Sequence, residues 1–239
     1  MLPSRDRILE AAARIYAQHG FRGATTRRIA DEAGVNEITV FRQFGSKEAL
    51  IAEAIRAGAA ASGLPELPAV PSDPEREITV WAEVHVSHLR NKCALIRKTM
   101  SELEERPEVI PCASAAPLEA KQRLCEYVAR LRAHDFVPAD GTLAEQREWD
   151  EAAVAMLMGA LFSDAMGRDV MPGMYPVSAK RAPSMYTRIF LRAVGVRRAE
   201  AGVTRVTRVP AAAPKRAVGA RVRRVQHHPT PGSDGTTKK

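Results

Sequence analysis

Apolar positions in the first 60 residues recur at helical spacing, in short runs closed by glycine. Ile8, Ala11, Ala12, Ile15, Tyr16 and His19 follow the i, i+3, i+4, i+7 pattern of one helical face. Ser4 is placed to cap that helix, Gly20 to close it in a left-handed conformation, and Phe21 to plug the core just beyond. A second helix is expected from Thr25 to Gly34, with threonine at its start and glycine at its end. Val35-Asn36 makes a tight link to a third over 37–44, closed by Gly45, and Ser46 caps a fourth over 47–55.

Prolines at 65, 68, 71 and 74 make residues 63–73 a loop, and Asp73-Pro74 supplies a cap and an N1 proline for the next helix. That helix carries Ile78, Trp81, Ala82, His85 and Leu89 on one face. Another is expected over 92–105 through Leu95, Ile96, Met100 and Leu103, ending before Pro107 and Pro111. Pro117 should open the next, with Leu124, Val128 and Leu131 as its apolar line. After a turn at 138–141, Thr142 and Glu145 form a capping box for a helix reaching about Arg168. A last helix over 183–194 offers Met185, Tyr186, Ile189, Phe190 and Ala193. No strand signal stands before residue 196, so the fold class is all-α.

Charge sharpens the division of the chain. The 239 residues carry a formal net charge of +8, yet residues 196–239 alone hold eleven Lys and Arg against Glu200 and Asp234. The rest is close to neutral. That last segment has no Leu, Ile, Met or aromatic residue, too little apolar surface to repay its ordering entropy, so a disordered basic tail is expected. Three organisational units follow: residues 1–50, 51–195 and 196–239. The longest apolar run, Ala152 to Phe162, is eleven residues and too short to span a bilayer. With no apolar signal core at the N-terminus and three widely spaced cysteines (93, 112 and 125), a cytoplasmic protein is expected, with no membrane partner.

The most specific signal lies in residues 25–47. Two helices of about eight residues joined through Gly34 make a helix-turn-helix, whose second helix fits the DNA major groove. Ile29, Ala30, Ala33, Val35 and Val40 are small or branched, as two closely crossing helices require. The remaining face shows Asn36, Glu37, Thr39 and Arg42, able to contact bases or phosphates, although Glu37 suits a capping or charge-regulating role better. Thr25, Arg27 and Arg28 start the preceding helix, where a helix N-terminus meets phosphate, and Lys47 stands at another such terminus.

Residues 4–56 resemble the N-terminal domain of the TetR family of transcriptional regulators. The resemblance rests on Ile8-Leu9-Glu10-Ala11-Ala12, Gly20-Phe21, Thr25 to Ala30, Ala33-Gly34-Val35, Thr39-Val40-Phe41, Phe44 and Ser46 to Leu50. It implies a homodimer on a palindromic double-stranded operator and a helical domain whose small-molecule effector usually ends repression. Asn36, Ile38, Phe41 and Arg42 depart from the residues common in the family. Phe41, lacking a hydroxyl, becomes a packing residue; Arg42 offers a cationic contact instead, and Ile38 a contact for a thymine methyl.

The helix over 152–166 is apolar almost all round, which implies burial on two sides. In the resembled family the last two long helices pair with their symmetry mates. On that basis Ala153, Met156, Leu157, Ala160, Leu161, Asp164, Tyr186, Ile189 and Phe190 are candidate dimer-interface residues. Trp81, His85, Met100, Trp149, Met158, Phe162 and Met166 are candidates for an effector pocket, since methionine-rich linings adapt to varied ligands. His85 and His88 make a poor metal pair without a third ligand, so no metal and no cofactor is expected. Phosphate-loop, dinucleotide-binding, metalloprotease and nucleophile-elbow motifs are lacking, which argues against an enzyme. Nonspecific architectural DNA binding through the tail, and activation in place of repression, are the remaining alternatives.

Overall fold

The computed structural model describes residues 4–59, 63–138 and 141–196, among which there are nine helices and no strand. The basic segment beyond Val196, expected to be disordered, lies outside the described residues. Four N-terminal helices build the first core. In α1 (Ser4–Gly23) the buried stripe is Ile8, Ala11, Ala12, Ile15 and Tyr16. Gly20, not His19, takes the next core position, four residues after Tyr16, and His19 is exposed. Gly20 does not close the helix in the left-handed region. Its φ of 65° and ψ of −175° belong to a region open essentially to glycine alone, and the chain resumes helical geometry for residues 21–23. Ser4 is the first helical residue, not the cap; its hydroxyl accepts from Gln43 Nε2 at 3.0 Å.

The next three helices start on short-range hydrogen bonds. Thr25 Oγ1 accepts the Arg28 N–H at 3.2 Å to begin α2 (Thr26–Ala33), which ends at left-handed Gly34. Asn36 Oδ1 accepts the Ile38 N–H at 2.8 Å to begin α3 (Glu37–Phe44). Ser46 Oγ accepts the Ala49 N–H at 3.1 Å at the head of α4 (Lys47–Ala59). Such caps are each worth about 1 kcal/mol. α4 carries Leu50, Ile51, Ala54 and Ile55 into the first core, and Leu95, Val109 and Cys112 from later in the chain complete it. A boundary at residue 50 therefore cuts through a helix and through a packed cluster.

The second core joins α5 (Pro74–Asn91), α7 (Ile110–Ala133), α8 (Leu143–Gly167) and α9 (Ala182–Ala193) around Ile78, Trp81, Leu124, Tyr127, Leu131 and Leu161. Asp73 caps α5 by accepting the Arg76 N–H at 3.1 Å. The capping box of α8 is complete: Thr142 Oγ1 accepts the Glu145 N–H at 3.3 Å, and Glu145 Oε2 accepts the Thr142 N–H at 2.9 Å. α6 (Cys93–Ser101) is shorter than 92–105 and packs against helices of both cores.

Two expectations are corrected here. Pro117 lies inside α7, which starts seven residues earlier with Pro111 in its first turn. A proline there removes the bond to the Ala113 carbonyl, at a cost of about 3 kcal/mol that tertiary packing has to offset. In α9 the buried residues are Ala182, Pro183, Thr187, Phe190 and Leu191, so only Phe190 of the expected face is buried. The helix is turned by about one residue, roughly 100°, and this leaves Tyr186 at the edge, where its hydroxyl donates to Asp164 Oδ2 at 3.0 Å.

Candidate nucleic-acid interface and ligand cavity

α2 and α3 bury Ile29, Ala30, Ala33, Val40 and Phe44, the apolar groups that hold the helix-turn-helix together. On the other side Ile38 is 74% exposed and Arg42 is exposed beside it in the sequence register of α3. Phe41 is 49% exposed, so its ring is not a core packing group. Thr25 and Arg27 are also exposed, and Thr39 is half-buried. Four of the candidate contacts are engaged inside the domain, Thr25 through its cap of α2. Glu37 Oε1 accepts from Thr26 Oγ1 at 2.6 Å, tying α3 to α2. Arg28 Nη1 donates to the Gly23 carbonyl at 3.0 Å. Asn36 spends its Oδ1 on the α3 cap.

Lys47 has a different neighbour from the one its helix terminus suggested. Its Nζ lies 4.1 Å from the centre of the Phe21 ring, and the Arg106 guanidinium lies 3.4 Å from the same centre. Phe21 is half-buried, packed against the first core as expected and flanked by these two cations. Its N–H donates to both carboxylate oxygens of Glu102, at 3.2 and 3.3 Å. Glycine is needed at position 20 for its φ, and a Cβ there, 2.3 Å from Glu102 Oε1, would also push the Glu102 carboxylate aside. Burial, with the Glu102 carboxylate beside it, pushes Tyr16 up to about 12. Glu102 and Arg106, just past α6, therefore form the polar joint between α6 and the tip of α1.

On its other side α6 walls a cavity. A space of about 330 Å³ lies between α5, α6, α7 and α8, and a second of about 250 Å³ adjoins it, with Ile96, Ala113, Pro117 and Phe162 lining both. Of the expected pocket residues, His85, Met158 and Phe162 line the first space, and Met100 and Phe162 the second. Trp81 is not a lining residue; it is fully buried in the core, stacked on His85 at 4.8 Å between ring centres. Trp149 stands 61% exposed, its indole N–H donating to the Ala193 carbonyl at 2.7 Å, away from this cavity. Met166 packs against the second core. His88 and Lys92 were missed, although 85, 88 and 92 make an i, i+3, i+7 line on α5 and its end that the sequence displays. Burial holds His85 down at about 4, with the neighbouring His88 adding to the effect.

The candidate dimer residues divide sharply. Ala153, Leu157, Leu161, Asp164 and Phe190 are buried within the chain itself and present nothing to a partner. Asp164 is 1% exposed and is held by Arg90 Nη2 at 2.7 Å, by Arg168 and by Tyr186. Met156 at 67% and Ile189 at 52% stand exposed on α8 and α9, with Ala160 and Tyr186 half-buried beside them in sequence register. Among the described residues no three His, Cys, Asp or Glu side chains come together to hold a metal ion, and no helix is long and apolar enough to cross a membrane.

Comparison with known proteins agrees with this geometry. Residues 8–54 match the family described as bacterial regulatory proteins, tetR family. The chain is 28% identical over 131 residues to the uncharacterised HTH-type transcriptional regulator YvkB of Bacillus subtilis, covering 55% of this chain and 69% of YvkB. It is 44% identical over 57 residues to the transcriptional repressor AcnR of Corynebacterium efficiens, covering 24% of this chain and only 30% of AcnR. The fold is shared with a Mesorhizobium loti structure assigned to the same family, at a TM-score of 0.65 and 19% identity over 81% of this chain and 97% of that one. These are regulators, not enzymes. The glycine-closed helix-turn-helix of residues 8–54 is thus an N-terminal domain of the tetR family, and beyond it the chain resembles regulators of that kind in sequence and in fold.

Proposed function

We propose that this regulator represses transcription as a homodimer on a two-fold symmetric operator, and that a small molecule in the α5–α8 cavity releases it. The observation that carries this reading is the double role of α6, which walls the cavity through Ile96, Thr99 and Met100 and leads directly into Glu102, bonded to Phe21 in the DNA-binding domain. A ligand shifts an equilibrium only by its differential affinity for two states. Here the favoured liganded state is one in which a displaced α6 moves Glu102 and Arg106 against Phe21 and Lys47. The recognition helices are then mis-spaced for successive major grooves, about 34–36 Å apart. Footprinting should show two protected half-sites related by symmetry; protection of a single unsymmetrical half-site would contradict the reading.

In this account Ile38 meets a thymine methyl and Arg42, Thr25, Arg27 and Lys47 meet the backbone, while Glu37, Arg28 and the cap of Asn36 hold the motif's shape. Arg42→Ala should weaken binding by about 1–3 kcal/mol across unrelated sites and lower the salt slope by about one. Fluorescence anisotropy over a salt series measures both. An unchanged slope would remove Arg42 from the phosphate contacts.

The dimer surface in this reading centres on Met156 and Ile189. Met156→Glu places a charge on a face that association would bury, so the variant should sediment as a single chain of 26.1 kDa at micromolar concentration while the parent sediments at twice that. A monomeric parent would sink the dimer.

A further inference from the structure

The two adjoining spaces differ in chemistry along their length. The end formed by α5 and the residue after it carries His85, His88 and Lys92 on one helical line, and among the described residues no carboxylate lines either space. The other end is walled by aliphatic side chains, Ile55, Leu95, Leu103 and Ile110 among them, with the Thr99 and Ser114 hydroxyls donating to the Leu95 and Ile110 carbonyls. Phe162 contributes the one phenyl ring among the described lining residues. A polyhydroxylated ligand would leave buried polar groups unpaired at the aliphatic end. An aliphatic chain would not, and its bulk fits spaces of about 330 and 250 Å³, which fall near the lower end of ordinary small-molecule sites.

We propose that the effector is an aliphatic carboxylate, with its chain running along α6 and α7 past Phe162 and its carboxylate against Lys92 and His88. The proposal rests on the reading of this cavity as the effector site and names the class of effector. Two further features fit it. His88 and Lys92 are both held below their usual values by burial, and the charge of Lys92 acts on His88 as well. An anion placed among them relieves that repulsion and strengthens every hydrogen bond it accepts. His85, stacked on Trp81 and kept neutral, gives the head-group end a rigid wall.

The test is calorimetric titration of the full chain with three probes of one tail length: decanoate, 1-decanol and decyltrimethylammonium. The expected result is one decanoate per chain, bound roughly tenfold or more tighter than decanol, as a charge-assisted hydrogen bond provides, with the cation bound more weakly than either. Lys92→Met should reduce decanoate to the level of decanol while leaving decanol unchanged, Lys92→Arg should restore the preference, and His88→Leu should reduce it in part. Retained decanol binding by Lys92→Met certifies the fold of the variant. Binding of decanol or the ammonium as tightly as decanoate, a preference that survives Lys92→Met, or no binding of any probe would overturn the proposal. Release of operator DNA is measured separately. If decanoate binds with the expected preference but leaves the DNA complex intact, the ligand class stands and the release mechanism fails.

Discussion

Asp164→Ala is expected to cost about 3–5 kcal/mol of stability, the penalty for breaking a buried ion pair and leaving its partners uncompensated. The carboxylate, with 1% of its surface exposed, gathers Arg90 from α5, Arg168 from its own helix and Tyr186 from α9. Removing it leaves Arg168, only 16% exposed, without a counter-ion and held by the Tyr175 and Val177 carbonyls; Arg90, at 36%, can turn to water. Burial alone would raise the Asp164 pKa, but hydrogen bonds from Arg168, Tyr186 and Arg90 outweigh it and hold the group below the usual carboxylate range. A lowered folded-state value means that the contribution is complete above the unfolded value of about 3.9 and is lost as the pH falls through the lower, folded one. Urea midpoints at pH 7 should separate parent and variant clearly, and the gap should begin to narrow only below about pH 4. An equal midpoint at pH 7 would show that the cluster contributes nothing.

The second large effect is expected at Gly20. Any other residue must adopt φ near 65° with an extended ψ, a region that costs about 1–3 kcal/mol. Its Cβ would also drive Glu102 from Phe21, since they would meet at 2.3 Å. Gly20→Ala should therefore lower the thermal midpoint by several degrees, roughly 2–4 °C per kcal/mol for a chain of this size. It should also change how strongly a bound effector weakens DNA binding, because in the proposed release mechanism the joint between α6 and α1 links the two sites. Gly34→Ala is the control: it has positive φ but nothing within 4 Å of its Cβ, so it should lose stability without touching that coupling. Identical coupling in all three proteins would exclude the joint from the mechanism.

The DNA-binding end was legible in the sequence because its structure is locally determined. Thr25, Gly34, Asn36 and Ser46 each act on a backbone group within five residues, and such signals need no knowledge of the rest of the chain. The cavity was less legible because its walls meet only through long-range packing. Pro117 reads as a helix start by every local rule, yet α7 runs through it and places it on the wall of both spaces. Asp164 reads as one polar group on an apolar helix, whereas its partner Arg90 is 74 positions away. Trp149 was misplaced because an indole N–H can be satisfied at the surface by a backbone carbonyl, which no periodicity reveals. Ile38 is the opposite case: an apolar residue in the recognition helix, left exposed where a core position would be wasted.

Selection of bound DNA from a random library by the full chain tests the central claim most directly. The account predicts one enriched sequence with two-fold symmetry, its half-sites about one helical turn apart, bound roughly 10³-fold or more tighter than unrelated DNA. Recovery of DNA with no shared sequence, or of a single unsymmetrical site, would contradict it.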